Sequence, residues 1–292
     1  MKNTISNSMM SVTVKRHGAE LCSLKAADGT EYLWQADPAV WGRHAPLLFP
    51  IVGKLAQGRY RFEGKEYALN PHGFARDMDF ALVTANATGL SYRLNDTPET
   101  RKQYPFEFNL MRHFRLSDGV LEVTTEVTNT GDKVLPFSIG EHPGFALNWG
   151  AKDRVEDYAL LFEKAERLDA HFLDSNGLVS DQTGRILSNK TVLPLRSDLF
   201  DRDALIFLKI KSQKISLCSR RHARRVTVKF SGYPQLGIWA KPGAPFVCIE
   251  PWYGHADPAS HDGELMNKPG IIKLAPGSVF SCNWRVGLTP KA

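Results

Sequence analysis

The sequence predicts a large all-β protein, and three observations carry that expectation. Apolar residues recur with a period of two along most of the chain. Turn pairs such as Asp-Gly and Pro-Gly separate the alternating runs. No stretch holds a helical i, i+3, i+4, i+7 apolar stripe for more than about two turns.

Each run supports the pattern in turn. "RYRFEGKEYAL" (59–69) alternates on either side of Glu63–Gly64, which predicts a hairpin. In "HFRLSDGVLEVTTEVTNTG" (113–131) Asp118–Gly119 marks a turn. After it, Leu121, Val123, Thr125 and Val127 take one face, and Glu122, Thr124, Glu126 and Thr128 the other. Segments 204–219, 225–231, 236–241 and 245–252 continue the alternation. "GIIKLAPGSVFSCNWRVGL" (270–288) predicts two strands around Pro276–Gly277. Only "PETRKQYP" (98–105) reads as helical, one turn between prolines.

The 23 glycines and 17 prolines are spread through the chain, so no linker stands out. One domain over residues 1–292 is expected, a big sandwich or a many-stranded barrel, with residues 1–10 a candidate flexible extension. A curved sheet of that kind presents a concave face lined by alternate side chains, which suits flat polar ligands such as sugars.

Composition narrows the function. The chain is 42% hydrophobic and 23% charged, enough for a large core without staples. A net charge of +6 from 37 basic and 31 acidic residues is too diffuse to imply nucleic acid. "CSRRHARRVTV" (218–228) has no aromatics among its arginines and reads as an exposed hairpin tip. No run approaches the ~18 apolar residues of a membrane span, and "MKNTISNSMMSVTV" lacks the apolar block of a signal peptide. A cytoplasmic protein with no membrane partner is expected. The four cysteines have no CxxC spacing and read as buried free thiols.

Three patches gather ionisable groups near turns or strand ends. The first, "LNPHGFARDMDF" (69–80), holds His72, Arg76, Asp77 and Asp79. The second, "FSIGEHPGFAL" (137–147), reads as a strand entering a tight turn at Pro143–Gly144, with Glu141 and His142 at the corner. The third, "VCIEPWYGHAD" (247–257), holds Glu250, Trp252, His255 and Asp257. In "FVCIE" Glu250 shares a face with Phe246 and Cys248, so it points into a partly buried environment. There it is either a structural ion pair, with an arginine such as Arg76, or a carboxylate of raised pKa suited to act as a base. His72 and His142 either bond a turn or act on a ligand. A metal held by two histidines and a carboxylate is a further reading, but neither histidine has the close partner that metal sites usually carry.

Together the patches resemble the aldose 1-epimerase (galactose mutarotase-like) family over nearly the whole chain, and its LacX-like branch in particular. "GKLAQGRYRFEGKEYALNPHGFARDMDF" (53–80) is similar to the family's N-terminal segment with its hairpin and histidine. "SIGEHPGF" (138–145) resembles the segment of the second histidine, and "APFVCIEPWYGHAD" (244–257) that of the catalytic glutamate.

The resemblance implies a large antiparallel β-supersandwich and an isomerase that interconverts sugar anomers without cofactor or metal. Glu250 matches the general base, His142 the general acid, and His72 the histidine that bonds the sugar near its ring oxygen. Lys54 stands where relatives usually have a sugar-contacting arginine. Asp203 matches a substrate-binding aspartate, Trp252 replaces a polar residue, and Arg76 joins the substrate-binding set.

Such chemistry asks for an ionised Glu250 and a charged His142 on opposite sides of the anomeric unit, with Glu141 a structural or solvent-facing group. Three alternatives stay open. One is a non-catalytic carbohydrate binder that keeps Trp239 and Trp252. Another is a glycoside hydrolase or lyase pairing Asp79 or Asp257 with Glu250. The third is a hexose 6-phosphate mutarotase using Arg43, Lys54 or Arg76 against phosphate.

Overall fold

The computed structural model describes residues 1–289. The expected large antiparallel supersandwich is what forms: fifteen strands join one sheet, and every pairing among the named strands is antiparallel. A three-stranded sheet (Lys2–Ser6, Met10–Lys15, Glu20–Ala26) and two short ribbons complete the strand content. The main cluster of buried apolar residues runs from Ile5 to Leu288, and a second, smaller one gathers Leu48, Val52, Val179, Ala204, Ile206, Trp252 and Ala256.

The alternation read from the sequence decides which side faces this core. On Val120–Asn129 the buried residues are Leu121, Val123, Thr125, Val127 and Asn129. Its partners are Phe108–Ser117 and Val279–Thr289, which set Phe114 and Trp284 on either side of Val123. Burying each such aromatic or aliphatic side chain contributes about 1.5–3 kcal/mol. The two predicted hairpin turns form, with left-handed φ at Glu63 (49°) and Gly64 (76°), and at Asp118 (45°) and Gly119 (73°). The predicted helical turn is Pro98–Gln103, capped by Thr97.

Two expectations need correcting. Residues 1–10 are no extension: Lys2–Ser6 pairs along its length with Met10–Lys15, and Ile5 is buried in the core. Segment 204–219 is not continuous strand. It splits into Leu205–Phe207 and Lys214–Ser219, because the Glu166 carboxylate accepts from the N–H groups of Lys211 and Ser212 and from the Ser212 hydroxyl. The longest hairpin, Tyr158–Leu173 with Val179–Pro194, turns through the Asn176–Gly177 pair, with Gly177 at a left-handed φ of 76°, and is closed by Asp174, whose side chain accepts from Asn176 and Leu178 N–H.

Candidate active site

The expected corner at residues 137–147 is straight. Ile139–Glu141 and Gly144–Ala146 both lie antiparallel on Phe246–Tyr253, with Gly140 opposite Trp252 and Gly144 opposite Cys248. These pairs share one register, so His142 falls opposite Glu250. The ladder persists past the gap, where the Ile249 N–H donates to the Pro143 carbonyl at 3.3 Å. Gly144 serves as space and not as a turn: a Cβ there would stand 2.9 Å from the Trp41 ring.

Cross-strand neighbours project to the same face, and His142 Nε2 meets Glu250 Oε2 at 3.2 Å. Strand alternation sends Glu141 to the other face. There it takes a two-pronged contact from Arg112 at 3.2 and 2.7 Å, with both side chains at or below 1% exposure. Glu141 is therefore structural.

Burial sets the protonation of the cross-strand pair. It raises the Glu250 carboxyl well above its ordinary value, the Asp203 charge adds to the rise, and the Trp252 indole N–H opposes it. Burial also presses the His142 imidazole down to about 3, and the charges of Arg76 and Arg43 push the same way. Both shifts favour placing the pair's proton on Glu250 over His142, and the two groups stand side by side. Arg76 is no partner of Glu250: its guanidinium donates to the Pro71 carbonyl at 2.6 Å and lies 3.6 Å from Asp77.

His72 is held at φ 66°, and its Nδ1 accepts the Gly53 N–H at 3.2 Å. An acceptor at Nδ1 leaves Nε2–H as the donor of the neutral ring. Burial, with His142, Arg76 and Arg43 adding, keeps His72 well below the ordinary histidine value. It is a neutral hydrogen-bonding group.

All seven expected residues line one cavity of ≈ 320 Å³: Lys54, His72, Arg76, His142, Asp203, Glu250 and Trp252. A larger groove of ≈ 550 Å³ beside Ser117–Val120 has no histidine and no buried acid in its lining. Chemistry therefore favours the smaller cavity.

Arg43, Trp239 and Trp41 complete its walls. Trp41 went unmarked in the sequence, where its only signal was a tryptophan in a loop between Pro38 and Pro46. Trp252 lies wedged between two glycines of neighbouring strands; a Cβ on Gly237 or Gly140 would approach its ring to 2.4 or 2.5 Å. Lys54 is already engaged, its ammonium donating to the Asn176 carbonyl at 2.6 Å. Arg43 binds Asp77 at 2.8 Å, so two guanidiniums flank one half-exposed carboxylate at the cavity. Asp203 sits at φ 68° and accepts the Ala204 N–H at 2.7 Å.

The carboxylates of the hydrolase alternative lie elsewhere. Asp79 bonds His17 on the surface at 3.0 Å, and Asp257 is buried against Lys268 at 2.6 Å. Among the described residues, His142, Cys248 and Glu250 each bring one ligand atom within 4.8 Å of the others. Burial and the Glu250 charge push the Cys248 thiol well up, so the trio presents a protonated thiol rather than a thiolate.

A family model described as aldose 1-epimerase matches residues 1–273. The chromosomal protein LacX of Lactococcus lactis is 31% identical over 281 residues, covering 93% of this chain and 94% of that one. The crystal structure of a galactose mutarotase related enzyme from Lactobacillus acidophilus superposes with a TM-score of 0.95 at 36% identity, covering 100% and 98% of the two chains. An Escherichia coli protein named "Putative glucose-6-phosphate 1-epimerase" is 28% identical over 153 residues, 48% of this chain and 49% of its own length.

Proposed function

This chain belongs to the aldose 1-epimerase family, and from that premise we propose that it interconverts the α and β anomers of an aldohexose by opening and reclosing the ring. The observation that carries the reading is the cross-strand contact of His142 with Glu250 at 3.2 Å inside the cavity.

Two oxygens on one anomeric carbon lie close together, so adjacent groups reach both. A shift of the shared proton from Glu250 to His142 Nε2 gives a carboxylate beside an imidazolium. Glu250 then takes the proton of the anomeric hydroxyl while His142 gives its own to the ring oxygen. The C1–O5 bond breaks and an open-chain aldehyde forms, with the carboxyl protonated and the imidazole neutral. Rotation about C1–C2 presents the other face. Glu250 then returns a proton to the carbonyl oxygen as O5 closes on C1 and loses its proton to His142. Protons balance and no electrons move, so the reaction asks for no redox group. His72 donates from Nε2 to the sugar near the ring oxygen. Each proton carrier contributes about 10²–10⁴-fold.

One observation favours a second substrate class. Arg43, Lys54 and Arg76 line the cavity against two acids, Asp203 and Glu250, an excess of cations that suits an anionic substituent. The name of the Escherichia coli relative, which matches this chain over about half of its length, points the same way. The deciding experiment is NMR exchange between anomers across aldoses and their 6-phosphates. Acceleration for any of them, lost in Glu250→Gln, supports the proposal. Sugar binding with no acceleration anywhere overturns it in favour of a carbohydrate-binding protein.

A further inference from the structure

His142 stands in an aromatic box. Trp41 stacks on its face, with centroids 5.0 Å apart and planes 30° apart. Trp239 meets it edge-on at 5.7 Å and 79°, and His72 does so at 5.8 Å and 82°. Trp41 is itself fixed: it stacks on Phe246 at 5.3 Å, its carbonyl accepts the Trp34 indole N–H at 2.8 Å, and Gly144 leaves room for its ring.

The ionisable groups around the imidazole are Glu250 at 3.2 Å, the neutral His72, the Cys248 thiol, and the guanidiniums of Arg43 and Arg76, whose charges oppose a second cation. Nδ1 has no hydrogen-bond partner. Besides Glu250, the backbone carbonyl of His142 itself favours the imidazolium and the Asp203 carboxylate lines the same cavity; the π-faces of Trp41 and Trp239 add to these.

We propose that Trp41 is a positioning residue: its indole fixes the His142 ring with Nε2 on Glu250 and favours the imidazolium that forms when the shared proton crosses. The inference rests on the reading of His142 as a proton carrier. A ring face attracts a cation most strongly where water is excluded, and a stacked ring also removes the imidazole's rotational freedom. Trp41 acts through His142, so its loss affects turnover more than affinity.

The test compares Trp41→Phe, which keeps a stacked ring, with Trp41→Leu, which keeps bulk without one. Anomer exchange gives kcat and KM, and ring ¹⁵N NMR follows His142 across pH. Trp41→Leu is expected to lower kcat about thirtyfold, the scale of one desolvated cation–π contact, with KM changed about twofold or less. It also moves the His142 titration to lower pH. Trp41→Phe restores most of both.

An unchanged kcat with a raised KM overturns the proposal and makes Trp41 a sugar platform. Equal losses in Phe and Leu overturn it as well. If Trp41→Leu does not fold, Trp41→Met takes its place against Phe. The NMR titration needs no turnover. A wild-type protein inactive on every sugar would therefore sink the enzymatic reading, while an unmoved His142 signal in Trp41→Leu would separately sink the stacking claim.

Discussion

Glu141 and His142 are sequence neighbours, and each is paired across the fold with an ionisable partner, yet the pairs are built to opposite ends. Glu141 meets Arg112 in a dry core through two contacts, where burial raises its carboxyl and the guanidinium opposes the rise. His142 meets Glu250 at a cavity wall, through one contact. The first pair has a partner at each carboxylate oxygen. The second has one proton, two places to hold it and an opening to the outside. A single step along a strand separates a structural ion pair from a reactive one, because alternation sends the two side chains to different solvents.

Breaking the reactive pair should produce the largest effect. Glu250→Gln keeps the shape and removes the proton store. It is expected to reduce anomer exchange by about 10²–10⁴-fold with little change in melting temperature. Near-normal rates by polarimetry would remove Glu250 from the mechanism. His142→Asn should match it; full activity there would transfer the acid role to His72.

Breaking the structural pair should reverse the signature. Arg112→Met leaves Glu141 buried without a partner and is expected to cost about 3–5 kcal/mol in urea unfolding, with kcat near normal in the molecules that stay folded. A loss under about 1 kcal/mol would show that the core readily hydrates this carboxylate.

The pH profile sharpens the comparison further. Glu250 titrates above the ordinary carboxylate range, so the reactive pair keeps its proton until the pH rises through that value. A second proton joins only near the depressed His142 value, about 3. The rate should therefore hold across mildly acid pH and fall first on the alkaline side; as coupled groups, the two limbs belong to the pair. An acid limb near 6.5, the ordinary histidine value, would overturn the buried-neutral assignment. Stability carries its own sign. Between about 4.5 and 6.5 the folded pair holds its one proton on Glu250 and the unfolded chain holds one on the histidine, so the pair adds no slope. Stability falls below about 4.5, toward the folded His142 value, and above about 6.5, toward the raised Glu250 value, and His142→Asn should make stability fall with rising pH already from about 4.5. Thermal melts at several pH values give the slope directly.

The smallest expected change lies at Lys54. Its ammonium ties the 174–178 turn to the cavity rim, so Lys54→Met should cost about 0.5–1.5 kcal/mol and raise KM a few-fold. A collapse of kcat would return Lys54 to the sugar-contacting role implied by the resemblance.

Much of this was legible in the chain. Period-two alternation gave the strands because one face of most of them is buried, and Asp118–Gly119 and Glu63–Gly64 specify turns that few other pairs adopt. The identities of Glu250, His142 and His72 stood out as ionisable groups among apolar or turn residues. What stayed hidden depends on partners distant in sequence. The Pro143–Gly144 pair looked like a turn, and only the opposing strand, some hundred residues on, shows that it is not. Trp41 had no local signal because its role lies in what it stacks on. Lys54 was read by residue type, whereas its hydrogen bond is set by a hairpin tip far along the chain.

The seat of Trp252 reaches beyond the fold itself. Gly140, Gly237 and Trp252 occupy three strands, yet one ring and two missing methyl groups fill a single volume beside Glu250. None of the three can drift alone. A smaller residue at 252 opens a void beside Glu250, and a Cβ at either glycine displaces the ring. Any lineage that changes the floor of this cavity must change it in concert. Libraries meant to alter sugar preference should randomise the three positions together.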